Sequence, residues 1–291
     1  LFVSGPSGCG KTSTVLQFLA RVGMPAVNFT CRPDMDLGDL LGRYSVCAES
    51  QGGYSWLDGP LTAAWKYGLT LVINEFSLAP SPVWVALNDL FEGGRLRVDA
   101  LGKTFPKHPN TRIVITDNCR ALATNRDYIG RRRQDLTSAE RFWHVEARWP
   151  SAQQEFSLLM QKTARLARFY GLQIEDSFES IVYAAVRFAN VTRQAAVNPA
   201  RAVRLPAIST RVLVRFMEIT VAKFHENPLS HTILEDALKL ALAAGLSPEK
   251  ESMMIDWMHA EFTSGFRQRP MKCDVKIEIQ VDQDDEEKDD V

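Results

Sequence analysis

The sequence has few cysteines, no long uncharged apolar run and almost no net charge, and each shortage argues against a class of protein. Its cysteines are widely spaced and form no C-x-x-C pair, which disfavours a disulfide framework and a cysteine zinc site: Cys9, Cys31, Cys47, Cys119 and Cys273. No stretch approaches about 18 uncharged apolar residues, and no basic-then-apolar leader opens the chain, so neither a membrane span nor secretion is expected. The scattered histidines include no H-E-x-x-H pattern, which disfavours a transition-metal site. We expect a cytoplasmic protein with reduced thiols.

Acidic residues are concentrated at the end of the chain, which hides the charge of the remainder. Residues 282–291 contain seven acids and one lysine, and we expect this tail to be disordered and solvated. The rest of the 291-residue chain then carries a charge of about +5, which does not by itself indicate a nucleic-acid partner. With 45% hydrophobic residues, the chain is long enough for two domains.

Residues 1–150 alternate short apolar runs with amphipathic segments, a pattern typical of an α/β domain with a parallel sheet. Strands are predicted at Leu1–Ser4, Ala26–Phe29, Leu69–Asn74, Arg112–Thr116 and Trp143–Ala147. Helices are predicted at Lys11–Val22, Leu37–Leu41, Gly59–Tyr67, Pro82–Glu92 and Ser138–Arg141. Glycine-containing turns predict two β-hairpins, at Tyr44–Leu57 and Arg95–Phe105.

Residues 151–270 have almost purely helical periodicity and predict a second, smaller, all-helical domain. Its helices are predicted at Phe156–Tyr170, Phe178–Ala189, Val212–Phe224, Ile233–Ala244 and Met253–Phe262. Ser209 and Ser247 stand where N-caps are expected. Residues 271–291 are predicted as a third segment, with an alternating strand at 276–281 before the acidic tail.

A phosphate-binding loop is the strongest signal in the sequence. The segment from Gly5 to Thr12 satisfies G-x-x-x-x-G-K-[ST] between an apolar strand and an amphipathic helix. Its backbone N–H groups and the helix N-terminus form an anion site. Lys11 is expected to reach the β- and γ-phosphates, and the Thr12 hydroxyl to bind Mg²⁺. The predicted nucleotide-binding residues are Gly5, Pro6, Ser7, Gly8, Cys9, Gly10, Lys11, Thr12 and Ser13.

A second strand, Leu71–Asn74, ends in polar residues and has the layout of a Walker B motif. Glu75 is the candidate for positioning the attacking water, although a strand-end glutamate also occurs simply as an exposed residue. Asn74 occupies the position where an aspartate usually holds the hydration shell of Mg²⁺. An amide oxygen can accept a hydrogen bond from metal-bound water but lacks the charge that attracts Mg²⁺. Weak metal affinity, slow turnover, or ATP binding with little hydrolysis are therefore all open.

With these motifs in place, further segments resemble the MoxR-like branch of the AAA+ ATPases, the group of CobS, CbbQ and NorQ. Residues 39–43 are similar to its DLxGR segment, residues 58–61 to the step before Walker B, and residues 115–118 to the sensor 1 motif. Residues 138–142 are similar to its DRF motif, with Glu140 in place of the aspartate, and residues 208–211 to the start of its lid helix. The resemblance implies a P-loop AAA+ parallel sheet with flanking helices and β-hairpin inserts, followed by a helical lid.

The same resemblance assigns roles to three residues outside the phosphate loop. Asn118 would be sensor 1, holding the attacking water or the γ-phosphate, although a polar residue there can also be a turn former. Arg141 would be an arginine finger inserted into the site of a neighbouring subunit; its alternative is a surface salt bridge. Arg211 would be sensor 2, reaching the γ-phosphate from the helical domain. The triplet Arg131–Arg133 is interpreted as solvated surface, with a second contact across the subunit boundary as the alternative.

The resemblance also implies ATP and Mg²⁺ as cofactors, a closed homo-oligomeric ring, most simply a hexamer, and a protein client that could carry a von Willebrand factor A domain. Two alternatives stay open: a nucleotide-dependent scaffold with weak hydrolysis, and a nucleic-acid motor. The second is disfavoured because no basic strip interleaved with aromatic residues is present. Among the tryptophans, Trp65 and Trp84 are expected in the core, whereas Trp56 could instead contact a client.

Overall fold

The structure is a computed structural model that describes residues 1–46, 53–118, 140–172, 176–197, 205–242 and 246–265. Several sequence predictions fall outside these residues: Cys47, Cys119, Cys273, Arg131–Arg133, the first half of the short helix predicted at 138–141, the strand at 276–281 and the acidic tail. Across the described residues, no helix combines the length and apolarity that a membrane span requires.

Strands dominate the first half of the chain and helices the second. The strands are β1 (Phe2–Ser4), β2 (Ala26–Thr30), β3 (Gly42–Val46), β4 (Tyr54–Asp58), β5 (Thr70–Asn74), β6 (Leu96–Val98), β7 (Lys103–Phe105), β8 (Arg112–Asp117) and β9 (His144–Glu146). The helices are α1 (Lys11–Arg21), α2 (Leu37–Leu41), α3 (Pro60–Tyr67), α4 (Ser81–Val85), α5 (Asn88–Phe91), α6 (Ala152–Phe169), α7 (Asp176–Val197), α8 (Thr210–Glu226), α9 (Ile233–Leu242) and α10 (Pro248–Gly265).

Five strands form a parallel sheet in the order β2-β5-β8-β1-β9, as the α/β prediction requires. The predicted hairpins are separate antiparallel pairs, β3 with β4 and β6 with β7. Strand β8 lies between β1 and β5, and in its register Thr116 is opposite Asn74 while Asp117 is opposite Ser4. Because parallel strands end at the same edge, this order brings the phosphate loop and the Walker B strand to one edge with β8 between them.

The sheet is covered on both faces, which explains why its central strands β5 and β8 contain the continuous apolar segments Leu71–Ile73 and Ile113–Ile115. Every residue of β5 is buried. Trp65 and Trp84 are fully buried in this core, as predicted, and Trp84 stacks on Phe76 with ring centroids 4.4 Å apart. Trp56 is half-buried, and its Nε1 donates to Asp58 Oδ1 at 2.9 Å. Its indole N–H is therefore engaged within the hairpin arm.

Helices α6 to α10 enclose a second apolar core that includes Leu159, Phe188 and Met217. Helix α6 begins before the predicted Phe156, because Ser151 and Gln154 form a reciprocal capping box over a polar first turn that apolar periodicity does not reveal. Ser209 caps α8, as predicted, by accepting a hydrogen bond from the Val212 backbone N–H.

Two helix predictions in the first half of the chain need correction. The helix expected at 82–92 is split into α4 and α5, because Leu87 leaves the helical region and its N–H bonds to Trp84, only three residues back, at 2.9 Å. The helix expected at 138–141 is a turn at Glu140 and Arg141, the part that the structure describes. The next residue, Phe142, packs edge-to-face on Phe91, and the chain then enters β9.

Candidate functional site

The phosphate loop joins β1 to α1 in a conformation that needs glycine. Gly8 and Gly10 have φ of 72° and 90°, in the left-handed region that side chains disfavour. Gly5 needs the space rather than the angle, since a Cβ there would lie 2.3 Å from the Ala147 carbonyl oxygen. Helix α1 begins directly after the loop at Lys11, so its N-terminus faces the enclosed space. The predicted strand–loop–helix context is therefore present.

Lys11 is the centre of contacts within this loop. Its side chain is nearly buried, and Nζ donates to the carbonyl oxygens of Gly5 at 3.0 Å and Pro6 at 2.9 Å. A third hydrogen bond runs to Asn118 Oδ1 at 2.7 Å. The ammonium group is thus held over the loop by acceptors that a triphosphate can replace. Of the remaining predicted loop residues, Ser7 and Cys9 are half-buried and Ser13 is exposed on the first turn of α1.

Asn74 connects three strands with α1 through both ends of its amide. Its Oδ1 accepts from the hydroxyls of Thr12 and Thr116, each at 2.8 Å. Its Nδ2 donates to Asn28 Oδ1 and, at 3.4 Å, to the Phe29 carbonyl oxygen. A carboxylate could not make the two donations, so the local network suits an amide at this position. Thr116 and Asn28 were not predicted as neighbours of Asn74, since only strand register brings them there.

The oxygen atoms beside the loop suit a magnesium ion held largely through water. Thr12 Oγ1 and Asn74 Oδ1 are adjacent, and hydroxyl and amide oxygens are hard ligands of the kind that Mg²⁺ accepts. Both are uncharged, so the phosphates would have to supply most of the negative charge. In the described ranges no group of three or more His, Cys, Asp and Glu side chains could bind a metal by itself. The donor set therefore fits a nucleotide-bound Mg²⁺.

Glu75 has a strained backbone. Its φ of 58° lies in the left-handed region, which makes it the single such non-glycine residue in the part of the chain that the structure describes. Strain of this kind costs on the order of 1–3 kcal/mol and is characteristic of functional sites. The conformation turns the chain from β5 into the short 3-10 turn Phe76–Leu78 and leaves the half-buried carboxylate beside Asn118. Asn118 Nδ2 lies 3.4 and 3.5 Å from the two Glu75 carboxylate oxygens.

Asp117 is a further site residue that the sequence analysis left without a role. It is buried, with 1% of its surface exposed, and its carboxylate accepts hydrogen bonds from the Ser77 backbone N–H and from Ser77 Oγ. Ser77 follows Glu75 by two residues, so Asp117 anchors the turn that carries Glu75. The signal was available, since an aspartate interrupting an apolar strand needs a buried partner.

Arg211 stands next to the phosphate loop, although some 200 residues separate them in sequence. A Cβ on Gly8 would lie 2.6 Å from Ser209 Cβ and 3.4 Å from Arg211 Cβ, so the start of α8 packs directly on the loop. The structure thus brings the helical domain to the site at the residue predicted as sensor 2. Hydrogen bonds connect Lys11 with Asn118, Asn118 with Glu75, and Thr12 with Asn74, while Arg211 stands beside the loop at Gly8.

Arg141 has its contact elsewhere in the same chain. Its Nε lies 2.9 Å from Glu92 Oε1, with 22% of its side chain exposed. The salt bridge that was weighed as an alternative therefore exists. The role of Arg141 at the site of a neighbouring subunit stays a prediction.

The base of the β3–β4 hairpin is held by charged groups. Arg43 Nη2 pairs with Asp39 at 2.7 Å and with Asp36 at 3.2 Å, while Asp36 and Asp39 form a capping box on α2. The hydrogen bond from the Asp39 backbone N–H lowers the pKa of Asp36. Asp58 is the last residue of β4, and its hydrogen bond with Lys66 raises the pKa of the Lys66 ammonium. These contacts explain the charged residues of the DLxGR-like segment, because they hold the base of the hairpin.

Comparison with known proteins agrees with this geometry. Residues 1–141 match the AAA domain of the dynein-related subfamily. The chain is 34% identical over 119 residues to the protein CbbQ of Hydrogenophilus thermoluteolus and 35% identical over 120 residues to the protein NorQ of Paracoccus denitrificans. Each alignment covers 40% of this chain and 43% of the relative, so the chain matches less than half of each relative's length.

One solved structure shows the same fold over most of the chain. The crystal structure of NtrX from Brucella abortus superposes with a TM-score of 0.55 at 16% identity, covering 91% of this chain and 56% of NtrX. The sheet order, the motif order and the sequence matches all confirm the predicted fold and the resemblance to the MoxR-like branch. Over residues 1–141, just under half of its length, this chain is therefore similar to the dynein-related subfamily of AAA proteins.

Proposed function

We propose that this chain is a P-loop ATPase that assembles into a ring, most simply a hexamer, and uses ATP hydrolysis to remodel or activate a partner protein. The observation that carries the proposal is the line of contacts from Lys11 through Asn118 to Glu75, beside the Thr12–Asn74 pair. Phosphate binding, water orientation and metal binding need these groups within one site. The 34–35% identity to CbbQ and NorQ supports the same activity.

In the proposed reaction, a water oxygen forms a bond to the γ-phosphorus while the bond from that phosphorus to the β–γ bridging oxygen breaks. The products are ADP and inorganic phosphate. Glu75 orients the water and accepts its proton, Asn118 holds the Glu75 carboxylate in place, and Lys11 stabilises the charge on the phosphate oxygens. Mg²⁺, when held by Thr12 and through water by Asn74, supplies further positive charge to the same oxygens.

Two arginines extend the site beyond one domain in this proposal. Arg211 contacts the γ-phosphate from the helical domain, and Arg141 contacts the nucleotide of the adjacent subunit. Loss of the γ-phosphate removes the ligand of both arginines, so hydrolysis changes how the domains and subunits are arranged. The partner would be a protein of the class that MoxR-like ATPases act on, including proteins with a von Willebrand factor A domain.

Phosphate release and particle mass, measured together, test the proposal. We expect ATP-dependent phosphate release that requires Mg²⁺, and a rise in particle mass when ATP is added. Lys11→Ala should lose both, because the ammonium that binds the β- and γ-phosphates is gone. Absence of phosphate release, together with a monomeric mass in saturating ATP and Mg²⁺, would contradict the proposal.

The second candidate function is a scaffold that binds ATP and hydrolyses it slowly. It is favoured by Asn74, whose amide is neutral and therefore lacks the charge that attracts Mg²⁺. In this case ATP should raise the particle mass as before, while phosphate release stays near background. The same pair of measurements therefore separates the two functions.

A further inference from the structure

A buried ion pair connects two helices of the helical domain. Glu155 on α6 is fully buried and Arg193 on α7 is 5% exposed. The two side chains meet in a bidentate arrangement, with Nη1 2.7 Å from Oε2 and Nη2 2.8 Å from Oε1. A buried ion pair is often no more stable than an apolar pair of similar size, because desolvating both charges is costly. The role of this pair is therefore better explained by the residues that it holds in place than by stability.

The same pair holds the segment that leads into the first turn of α8. We call residues Ile208–Arg211 the strap. Arg193 Nε donates to the Ile208 carbonyl oxygen at 2.7 Å, and the Ile208 N–H donates to Thr192 Oγ1 at 3.1 Å. Thr210 Oγ1 donates to Glu155 Oε1 at 2.5 Å. Both ends of the ion pair are thus bonded to the strap.

The strap in turn packs on the phosphate loop. Ser209 lies directly against Gly8, close enough that a Cβ on Gly8 would be 2.6 Å from the Ser209 hydroxyl. Arg211 follows Thr210 on the first turn of α8, so the hydrogen bond from Thr210 to Glu155 sets the rotation of that turn about its axis. A rotation or shift of the turn would move the Arg211 side chain relative to the loop.

We propose that Glu155 and Arg193 are positioning residues, which act through Thr210 to place Arg211 at the γ-phosphate. The inference rests on the proposed function, since it assumes that Arg211 is the sensor of the γ-phosphate. In addition, discrimination between ATP and ADP would depend on the buried network of Glu155, Arg193 and Thr210, which lies outside the nucleotide site. The ion pair fixes the strap on one side and the phosphate loop contacts it on the other.

Thr210→Val tests this link with little disturbance of folding. The substitution keeps the shape of the side chain and the Glu155–Arg193 pair but removes the hydrogen bond to Glu155. Thr220→Val is the matched control on the same helix. Thr220 is also buried, and its hydroxyl donates at 2.8 Å to the Phe216 carbonyl oxygen, a contact within α8 itself.

The readout is the ratio of the dissociation constants for ADP and for a slowly hydrolysed ATP analogue, ATPγS. We expect Thr210→Val to lower the preference for ATPγS by about tenfold, because small misplacements of a positioned group have large effects. ADP affinity should change less than about twofold, since Arg211 contacts only the γ-phosphate. Thr220→Val should lose similar thermal stability and leave the preference unchanged.

A double-mutant cycle with Arg211→Ala makes the test specific. If Thr210 acts through Arg211, adding Thr210→Val to Arg211→Ala should not lower the ATPγS preference further. Equal effects of Thr210→Val with and without Arg211, or equal effects of Thr210→Val and Thr220→Val, would overturn the inference. If the wild-type chain bound ATPγS no more tightly than ADP, the sensor role of Arg211 in the proposed function would be contradicted. The inference, which depends on that role, would then be overturned as well.

Discussion

The Lys11 ammonium, at the start of α1, donates a 2.7 Å hydrogen bond to the side chain of Asn118, which directly follows β8. The amide nitrogen of the same asparagine faces the Glu75 carboxylate at 3.4 Å. One side chain therefore separates the phosphate-binding cation from the carboxylate proposed to orient the water. In the proposed function, this arrangement lets Asn118 respond to both the γ-phosphate and the attacking water.

Asn118→Ala should lower the turnover number for ATP by about 10²-fold, the cost typical of removing one preorganised polar group. ATP affinity should change little, because Lys11 keeps its position through the carbonyl oxygens of Gly5 and Pro6. Steady-state phosphate release and equilibrium nucleotide binding measure the two effects. Asn110→Ala, at an exposed loop asparagine, is the control. Turnover near that of the control would remove Asn118 from the catalytic group.

Asn74→Asp should raise the apparent affinity for Mg²⁺, because a carboxylate adds the negative charge that the Thr12–Asn74 pair lacks. The same change removes the donations to Asn28 and to the Phe29 carbonyl, so the free energy of unfolding should fall by about 1 kcal/mol. A magnesium titration of phosphate release, together with denaturant unfolding, measures both. An unchanged magnesium midpoint would show that metal affinity is not limited by this position.

Gly8→Ala should disrupt the contact between the phosphate loop and the strap. The new Cβ would stand 2.6 Å from Ser209 in a backbone conformation with φ of 72°, so either the loop or the strap must move. Gly23→Ala is the matched control, since Gly23 also has positive φ, 67°, but nothing lies within 4 Å of its Cβ position. Both variants should carry a strain of about 1–2 kcal/mol.

Nucleotide binding distinguishes these two variants. Binding is measured at one temperature at which both variants are folded. We expect Gly8→Ala to bind ATP more weakly than the wild type and Gly23→Ala to bind it as tightly as the wild type. Equal binding by the two variants would mean that the contact with Ser209 does not shape the nucleotide site.

Arg141→Ala should reduce ATP turnover by about 10³-fold if Arg141 completes the site of a neighbouring subunit, as arginine fingers do. Nucleotide binding should be nearly unchanged. Glu92→Ala is the informative comparison, because it removes the partner of Arg141 within its own chain and leaves the guanidinium in place. Matching losses of turnover in the two variants would indicate that the ion pair alone matters. Phosphate release measured over a range of protein concentrations completes the test.

The phosphate loop, the Walker B strand and the α/β class were predictable from sequence because their signals are local. A glycine-rich loop between an apolar strand and an amphipathic helix is encoded within about a dozen residues, and the buried strand at 70–74 has the continuous apolar centre Leu71–Ile73. Helix ends were less predictable. The polar first turn of α6 and the tight turn at Leu87 carry no apolar periodicity, so the prediction missed both.

The contacts of Asn74 and the anchoring of Glu75 could not be predicted from the sequence. Thr116 reaches Asn74 only because β8 lies beside β5 in one particular register, and a shift of one residue would direct its side chain to the other face. Asp117 similarly finds Ser77 through the packing of β8 against the turn after β5. Such partners are distant in sequence, and no spacing rule relates them.

By itself, the amino-acid sequence determined the phosphate loop, since Gly8, Gly10 and Lys11 combine backbone conformation and charge close together in the chain. Only the tertiary structure decided which other groups share the site. The strand order places Asn118 between Lys11 and Glu75, and the packing of the strap on Gly8 brings in Arg211. The physical reason is that backbone preferences act over a few residues, whereas sheet register and domain packing are determined by the burial of the whole chain.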